Sequence, residues 1–150
     1  KRQPSFQEAA EFFQPPPDQQ RFQYIHFPCR NRLPRKDIRR LYLRSLAINP
    51  NRIIDISSPA RNVLSLLVHT QYFSNVFLIL KKANTPILYN FNPTDPVHLR
   101  DPTYILLPEQ QKSEIAAQCH RNRCLQTLNW LKHHVKHTVA YFFQHNGWVS

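Results

Sequence analysis

Between Arg21 and Phe91 the spacing of apolar residues switches repeatedly between a period of two and a period near 3.6. Arg21 to Phe27 (RFQYIHF) alternates, with Phe22, Tyr24 and His26 on one side and Gln23, Ile25 and Phe27 on the other, which predicts a strand. Pro28 ends it. Ile38, Leu41, Tyr42, Ser45 and Leu46 then fall at i, i+3, i+4, i+7 and i+8, which predicts a helix with that stripe buried. Pro34 suits the first turn, and Asp37 sits where the helix dipole favours an anion. After a turn at Asn49-Pro50-Asn51, Arg52 to Ser57 reads as a second strand, Ser58 to Asn62 as a turn and Val63 to His69 as a third strand. Thr70 is placed to cap a second helix whose stripe is Phe73, Val76, Phe77 and Leu80, and Thr85 to Phe91 (TPILYNF) reads as a fourth strand.

The order strand, helix, strand, strand, helix, strand predicts an α+β domain over residues 21–92. It is of the ferredoxin-like, RNA-recognition-motif-like (RRM-like) β-α-β-β-α-β kind, with both helices on one face of an antiparallel sheet and the other face open. Residues 1–20 form a Pro- and Gln-rich arm with a short helical patch from Glu8 to Phe13 and a polyproline stop at Pro15–Pro17. Residues 93–108 make a Pro-rich linker, and 109–150 a C-terminal helical extension. There Cys124, Leu128, Leu131, Val135, Val139 and Phe142 recur at helical spacing, and Asn146-Gly147 signals a C-cap. A helix of roughly 30 residues is ~45 Å long, too long to lie on so small a domain. It must break near Asn129, pack back across the sheet, or pair with another chain.

Composition narrows the chemistry. With 41% hydrophobic residues in 150, the chain can build a core, but its single glycine excludes phosphate-binding Gly-rich loops, nucleophile elbows and dinucleotide fingerprints. Turns fall to 13 prolines and to Asn and Asp. The absence of a long apolar run or a leader-like stretch reads as soluble and intracellular, with no membrane partner, and three cysteines without disulfide rhythm fit a reducing compartment.

The net charge of +11 points to an anionic partner, of which nucleic acid is the commonest. Ten of the 20 Lys and Arg lie between Arg21 and Arg61, against only Asp37 and Asp55. Arg30, Arg32, Arg35, Lys36, Arg39, Arg40, Arg44, Arg52 and Arg61 are therefore candidate phosphate contacts, since Arg forks onto phosphate with two hydrogen bonds. A merely solvated charged face normally mixes signs, and this one is almost purely positive. On the open sheet face, Tyr24 and His26, with His69 at the end of the third strand, are candidates to stack on bases. The alternative is that the long helix covers them. The arginines at strand and loop ends, Arg30, Arg32, Arg52 and Arg61, are the ones placed to bridge sheet face and helix.

Two other chemistries fit less well. Cys119, His120 and Cys124, and the pair His133 and His137, include i, i+4 spacings that suit zinc, but no knuckle or finger spacing accompanies them, so neither metal nor cofactor is expected. Carboxylates are scattered at Asp95, Asp101, Glu109 and Glu114 rather than clustered for metal-assisted chemistry, so no enzyme is expected.

The stretch PRKDIRRLYLRSLAINPNRIIDISSPARNVLSLLVHTQYF resembles a domain of fungal non-LTR (LINE-like) retroelement proteins that lies next to or upstream of the reverse transcriptase, over roughly residues 30–105. The resemblance implies an accessory domain that coats or chaperones element RNA, often as a multimer. The expectation is a non-catalytic binder of RNA or single-stranded nucleic acid. Its main rival is an assembly module that forms a homo-oligomer through the long helix.

Overall fold

The computed structural model describes residues 2–13 and 21–150, and the polyproline stop at Pro15–Pro17 lies outside them. Near the N-terminus a short helix, α1 (Phe6–Phe12), covers most of the helical patch expected there. The sheet is formed by β1 (Phe22–Pro28), β2 (Ile53–Ala60) and β3 (Val63–His69), all antiparallel, in the order β1-β3-β2. Alternation places Ile25, Phe27, Leu66 and Val68 on one face. On the other lie Phe22, Tyr24 and Leu67.

The fourth strand expected at Thr85 to Phe91 does not form. Only Leu88 N–H reaches β1, donating to His26 O at 2.8 Å. Pro86 has no N–H to give a ladder, and the chain turns at Tyr89-Asn90 before a second bond can close.

Two helical segments cover the first face. α2 (residues 35–45) begins α-helical at Arg35–Asp37, widens to a π-helix over Ile38–Tyr42, and tightens again at Leu43–Ser45. The widened turn inserts one residue into the helical period, and Leu43 N–H accordingly bonds Ile38 O. Ile38 and Leu43 point inward as an i, i+5 pair and Ile48 follows them into the core. The stripe expected at Ile38, Leu41, Tyr42, Ser45 and Leu46 is therefore wrong beyond its first member. Leu41 and Tyr42 are 50% and 54% exposed, and Ser45 and Leu46 are also outside. α3 (Thr70–Lys82) inserts Tyr72, Val76 and Leu80, with Phe73 beside them. Thr70 is its first residue rather than its cap; His69 holds the cap position.

Three helices end alike. At Ala47 (φ 62°), Asn84 (φ 58°) and Gly147 (φ 76°) the chain enters the left-handed region. In each case the next residue bonds back across the turn: Ile48 to Leu43 O, Thr85 to Leu80 O and Trp148 to Phe143 O. The cap expected at Asn146-Gly147 is thus formed, and Ala47 does at α2 what a glycine ordinarily does.

The second sheet face is covered, not open. The long helical pattern breaks at Leu131 and Lys132, two extended residues, into α4 (Glu109–Trp130) and α5 (His133–His145). Both pack back on the sheet. Cys124, Val139, Phe142 and Phe143 form one buried cluster with Phe22 and Leu67, and Leu128, Leu131, Val135 and Trp148 pack around it. The apolar stripe that would have been an oligomer seam is used inside the chain. No described helix is long and apolar enough to cross a membrane.

Candidate functional site

Three of the predicted phosphate contacts meet at one end of the sheet. The hairpin between β2 and β3 turns at Arg61-Asn62, with Asn62 in the left-handed region (φ 59°). Cys29 N–H donates to Asn62 O at 2.8 Å, which lays the segment leaving β1 beside the hairpin. Arg30, Arg32 and Arg61 consequently line a single cleft of about 1020 Å³ with an apolar floor that includes Leu33, Val63 and Leu64. The irregular 93–108 segment supplies the far wall through His98 and Arg100. Asp95 Oδ1 accepts from Val97 N–H at 3.0 Å to open the turn that carries His98, whose ring stacks on Phe91 at 4.7 Å. No Asp or Glu lines this cleft among the described residues.

A smaller cavity of about 330 Å³ adjoins the cleft and shares Leu33, Ile38, Ser58, Pro59 and Leu64 with it. Two bulges in β2 shape it. The first, between Ile53 and Asp55, brings Asp55 across from Leu67, on the same face of the sheet. The second, between Ser57 and Ala60, is closed by Ser58 Oγ donating to Val63 O at 2.7 Å, and it makes Ser58 and Pro59 the rim between cavity and cleft. Tyr24 and His26 from β1, Arg35 from α2, and His120, Arg123 and Cys124 from α4 complete the wall.

The side chains around this cavity carry shifted protonation. His26 hydrogen-bonds Ser65 Oγ through Nδ1 and packs against Tyr24 and Phe91, and burial lowers its pKa to about 4. His120 also falls to about 4, through burial first and then the nearby positive charge of Arg123 and His26. Both imidazoles are neutral at pH 7. Burial pushes the Cys124 thiol up to about 12 and raises the Tyr24 hydroxyl as well. Burial also raises the Asp55 carboxyl, while Arg35 at 3.7 Å and a hydrogen bond from Thr127 at 3.1 Å pull it back. Cys124 Sγ lies 3.5 Å from His120 Nε2, and no group of three or more His, Cys, Asp or Glu able to hold a metal occurs among the described residues.

The remaining predicted residues lie elsewhere. Arg39 turns inward, donating through Nη1 to Pro50 O at 2.6 Å and Ile53 O at 2.7 Å. Together with Arg52 and His69 it borders a second groove at the opposite end of the sheet, which Trp130, Lys132 and His134 also line. Arg52 lies over the Tyr72 ring at 4.6 Å. Of the four arginines placed to bridge sheet and helix, Arg30, Arg32 and Arg61 converge and Arg52 does not. Lys36, Arg40 and Arg44 are exposed on α2, where Arg40 pairs with Asp37 at 3.6 Å.

Tyr24 and His26 are candidates to stack on bases only if the long helix leaves their face open, and for Tyr24 it does not. Tyr24 instead packs against Phe142, Phe143 and Trp148, because α5 crosses over it. His69 is exposed at the end of the central strand, its ring 4.9 Å from Phe22. Three residues were missed. His98 and Arg100 sit in an aperiodic segment that gives no local sign of where it folds. Arg123 was visible as one helical turn from His120, but nothing in the pattern showed that α4 would lie on the sheet.

Comparison of the chain with models of known protein families, with curated protein sequences and with solved structures found no match.

Proposed function

We propose that the chain binds single-stranded nucleic acid, RNA in the first place, without catalysis, along the arginine-lined cleft at the β1–hairpin end of the sheet. The observation that carries this reading is the convergence of Arg30, Arg32, Arg61 and Arg100 on one concavity with no carboxylate on its wall among the described residues. Paired arginines track phosphates, and an apolar floor tolerates bases of any sequence. The basic helix α2 is a weaker candidate for the contact than its composition suggests, because Arg39 is tied to backbone carbonyls and Arg40 to Asp37.

The likeness of the 34–73 stretch to retroelement accessory domains favours element RNA as the ligand and an intracellular setting. The order of strands and helices separately favours a ferredoxin-like ancestry. In that view the order β1-β3-β2 keeps three strands of the fold, and the residues around Leu88, beside β1, are a fourth strand reduced to one hydrogen bond.

The test is fluorescence anisotropy with a labelled single-stranded RNA at two salt concentrations. Affinity should fall on a log–log plot with a slope of roughly −0.7 for each phosphate contact. Reversing Arg30, Arg32 and Arg61 to Glu should remove most of the affinity and flatten the slope. A triple variant that binds as wild type does would rule out the cleft.

A further inference from the structure

The cavity beside the cleft holds two arginines, Arg123 with no carboxylate partner among the described residues and Arg35 with one at the limit of an ion pair. Arg123 enters from α4 and is half-buried. Its Nη2 donates to Pro93 O at 3.1 Å and lies 3.2 Å from His120 Nδ1, while its Nε is buried without an acceptor among the described residues. Unpaired buried donors are rare because leaving water without a new partner is costly. Arg35 reaches the same cavity from α2, held only loosely by Asp55 at 3.7 Å. The rest of the wall includes His26, Ser57 and Gln126 beside apolar residues such as Ile56 and Leu64. At about 330 Å³ the space is at the small end of ligand sites, suited to one small molecule rather than a run of polymer. It shares its rim, Ser58 and Pro59, with the cleft.

We propose that this cavity is a mononucleotide subsite. One nucleotide of the bound strand leaves the cleft over the Ser58-Pro59 rim, its phosphate pairs with Arg123 and Arg35, and its base lies against His26, Ser57 and Gln126. The inference rests on the cleft being the path of the strand, but it predicts binding of a free nucleotide as well. The arginines supply bidentate donors to the phosphate. The neutral histidine offers the base an uncharged ring.

Calorimetry with adenosine 5′-monophosphate, adenosine and inorganic phosphate tests it on the full chain. The nucleotide should bind at least about tenfold more tightly than either adenosine or phosphate, because only it engages both parts of the wall. Arg123→Gln should weaken nucleotide binding by roughly tenfold or more. Gln126→Trp, at an exposed helix position on the cavity wall, should block it without unfolding the chain, checked by an unchanged thermal midpoint. Charge reversal at Arg30, Arg32 and Arg61 should remove most of the strand affinity yet leave nucleotide binding within about threefold, since the two sites are separate and additive. Strand binding with no nucleotide binding at about 10 mM would overturn the subsite and spare the cleft. Nucleotide binding without strand binding would do the reverse. Phosphate or adenosine binding as tightly as the nucleotide would overturn it, as would a folded Gln126→Trp variant with undiminished affinity.

Discussion

At the scale of single residues, the arginines of this chain divide into those that hold the protein together and those that line its clefts or lie exposed on α2. Arg39 belongs to the first group. It satisfies two carbonyls at the start of β2, and burial lowers its pKa. Arg39→Gln should destabilise the fold by roughly 1–3 kcal/mol in urea unfolding, the range for losing hydrogen bonds from a charged donor. It should leave the salt slope of RNA binding unchanged, which separates it from Arg61. The histidines give a second prediction. His26 and His120 protonate near pH 4 when folded and near 6.5 when unfolded. Between those values the unfolded chain binds more protons, so stability is full above pH 6.5 and is lost as the pH falls towards 4. Asp55, raised by burial, works in the opposite direction, but it is one group against two. Urea midpoints should drop between pH 7 and pH 4.5, and less so in His26→Gln. An unchanged midpoint would mean that the imidazoles are not buried as described.

At the scale of elements, the π-turn in α2 decides which side chains the core receives. Leu43 is 3% exposed and packs with Ile38 and Ile48. Leu43→Ala should therefore cost about 2–5 kcal/mol, whereas Leu41→Ala should cost well under that, about 1 kcal/mol or less. A regular helix would reverse the ranking, so denaturation of the two variants side by side reads the register directly. Helical periodicity alone could not show this. The spacing of Ile38, Leu41 and Tyr42 is flawless for an α-helix, and only the sheet beneath selects Leu43 instead. Strands were more legible. β3 has the bounds its alternation predicts, β1 is shifted by one residue, and β2 runs on to Ala60, three residues into the turn expected at Ser58 to Asn62. The failure at Thr85 to Phe91 has a local cause, since the proline at 86 was in plain view and outweighs the β-branched and aromatic residues around it.

At the scale of the whole molecule, the C-terminal helices turn an open sheet into one with helices on both faces. That closure was among the dispositions that helix length allowed, but the break at Leu131 and Lys132 carries no proline or glycine to announce it. The same closure explains why the basic residues were legible as a set but not as a site. Burial of the broad face leaves the sheet's two ends as the places where arginines can gather. With strands of seven residues at ~3.3 Å each, those ends are about 20 Å apart. The double substitution Leu128→Asp with Val135→Asp, which would split an oligomer seam, should here unfold the chain, because both side chains pack on the Phe22 and Leu67 cluster. Circular dichroism would show the loss, and a folded chain that merely changed its association state would contradict this packing.

The covering of Tyr24 by α5 also bears on the order in which the chain acquires its shape. The sheet's strands and α2 and α3 are close along the chain, and they can assemble one core by local steps. The second core must wait for Phe142, Phe143 and Trp148 to find Phe22 and Tyr24, a search across more than 110 positions. Contacts that distant are slow to form. During that interval one whole side of the sheet is bare, with Phe22, Tyr24, Ile54 and Leu67 facing water. The chain is then most at risk of sticking to its neighbours, and its yield on refolding should depend on concentration far more than its finished stability does.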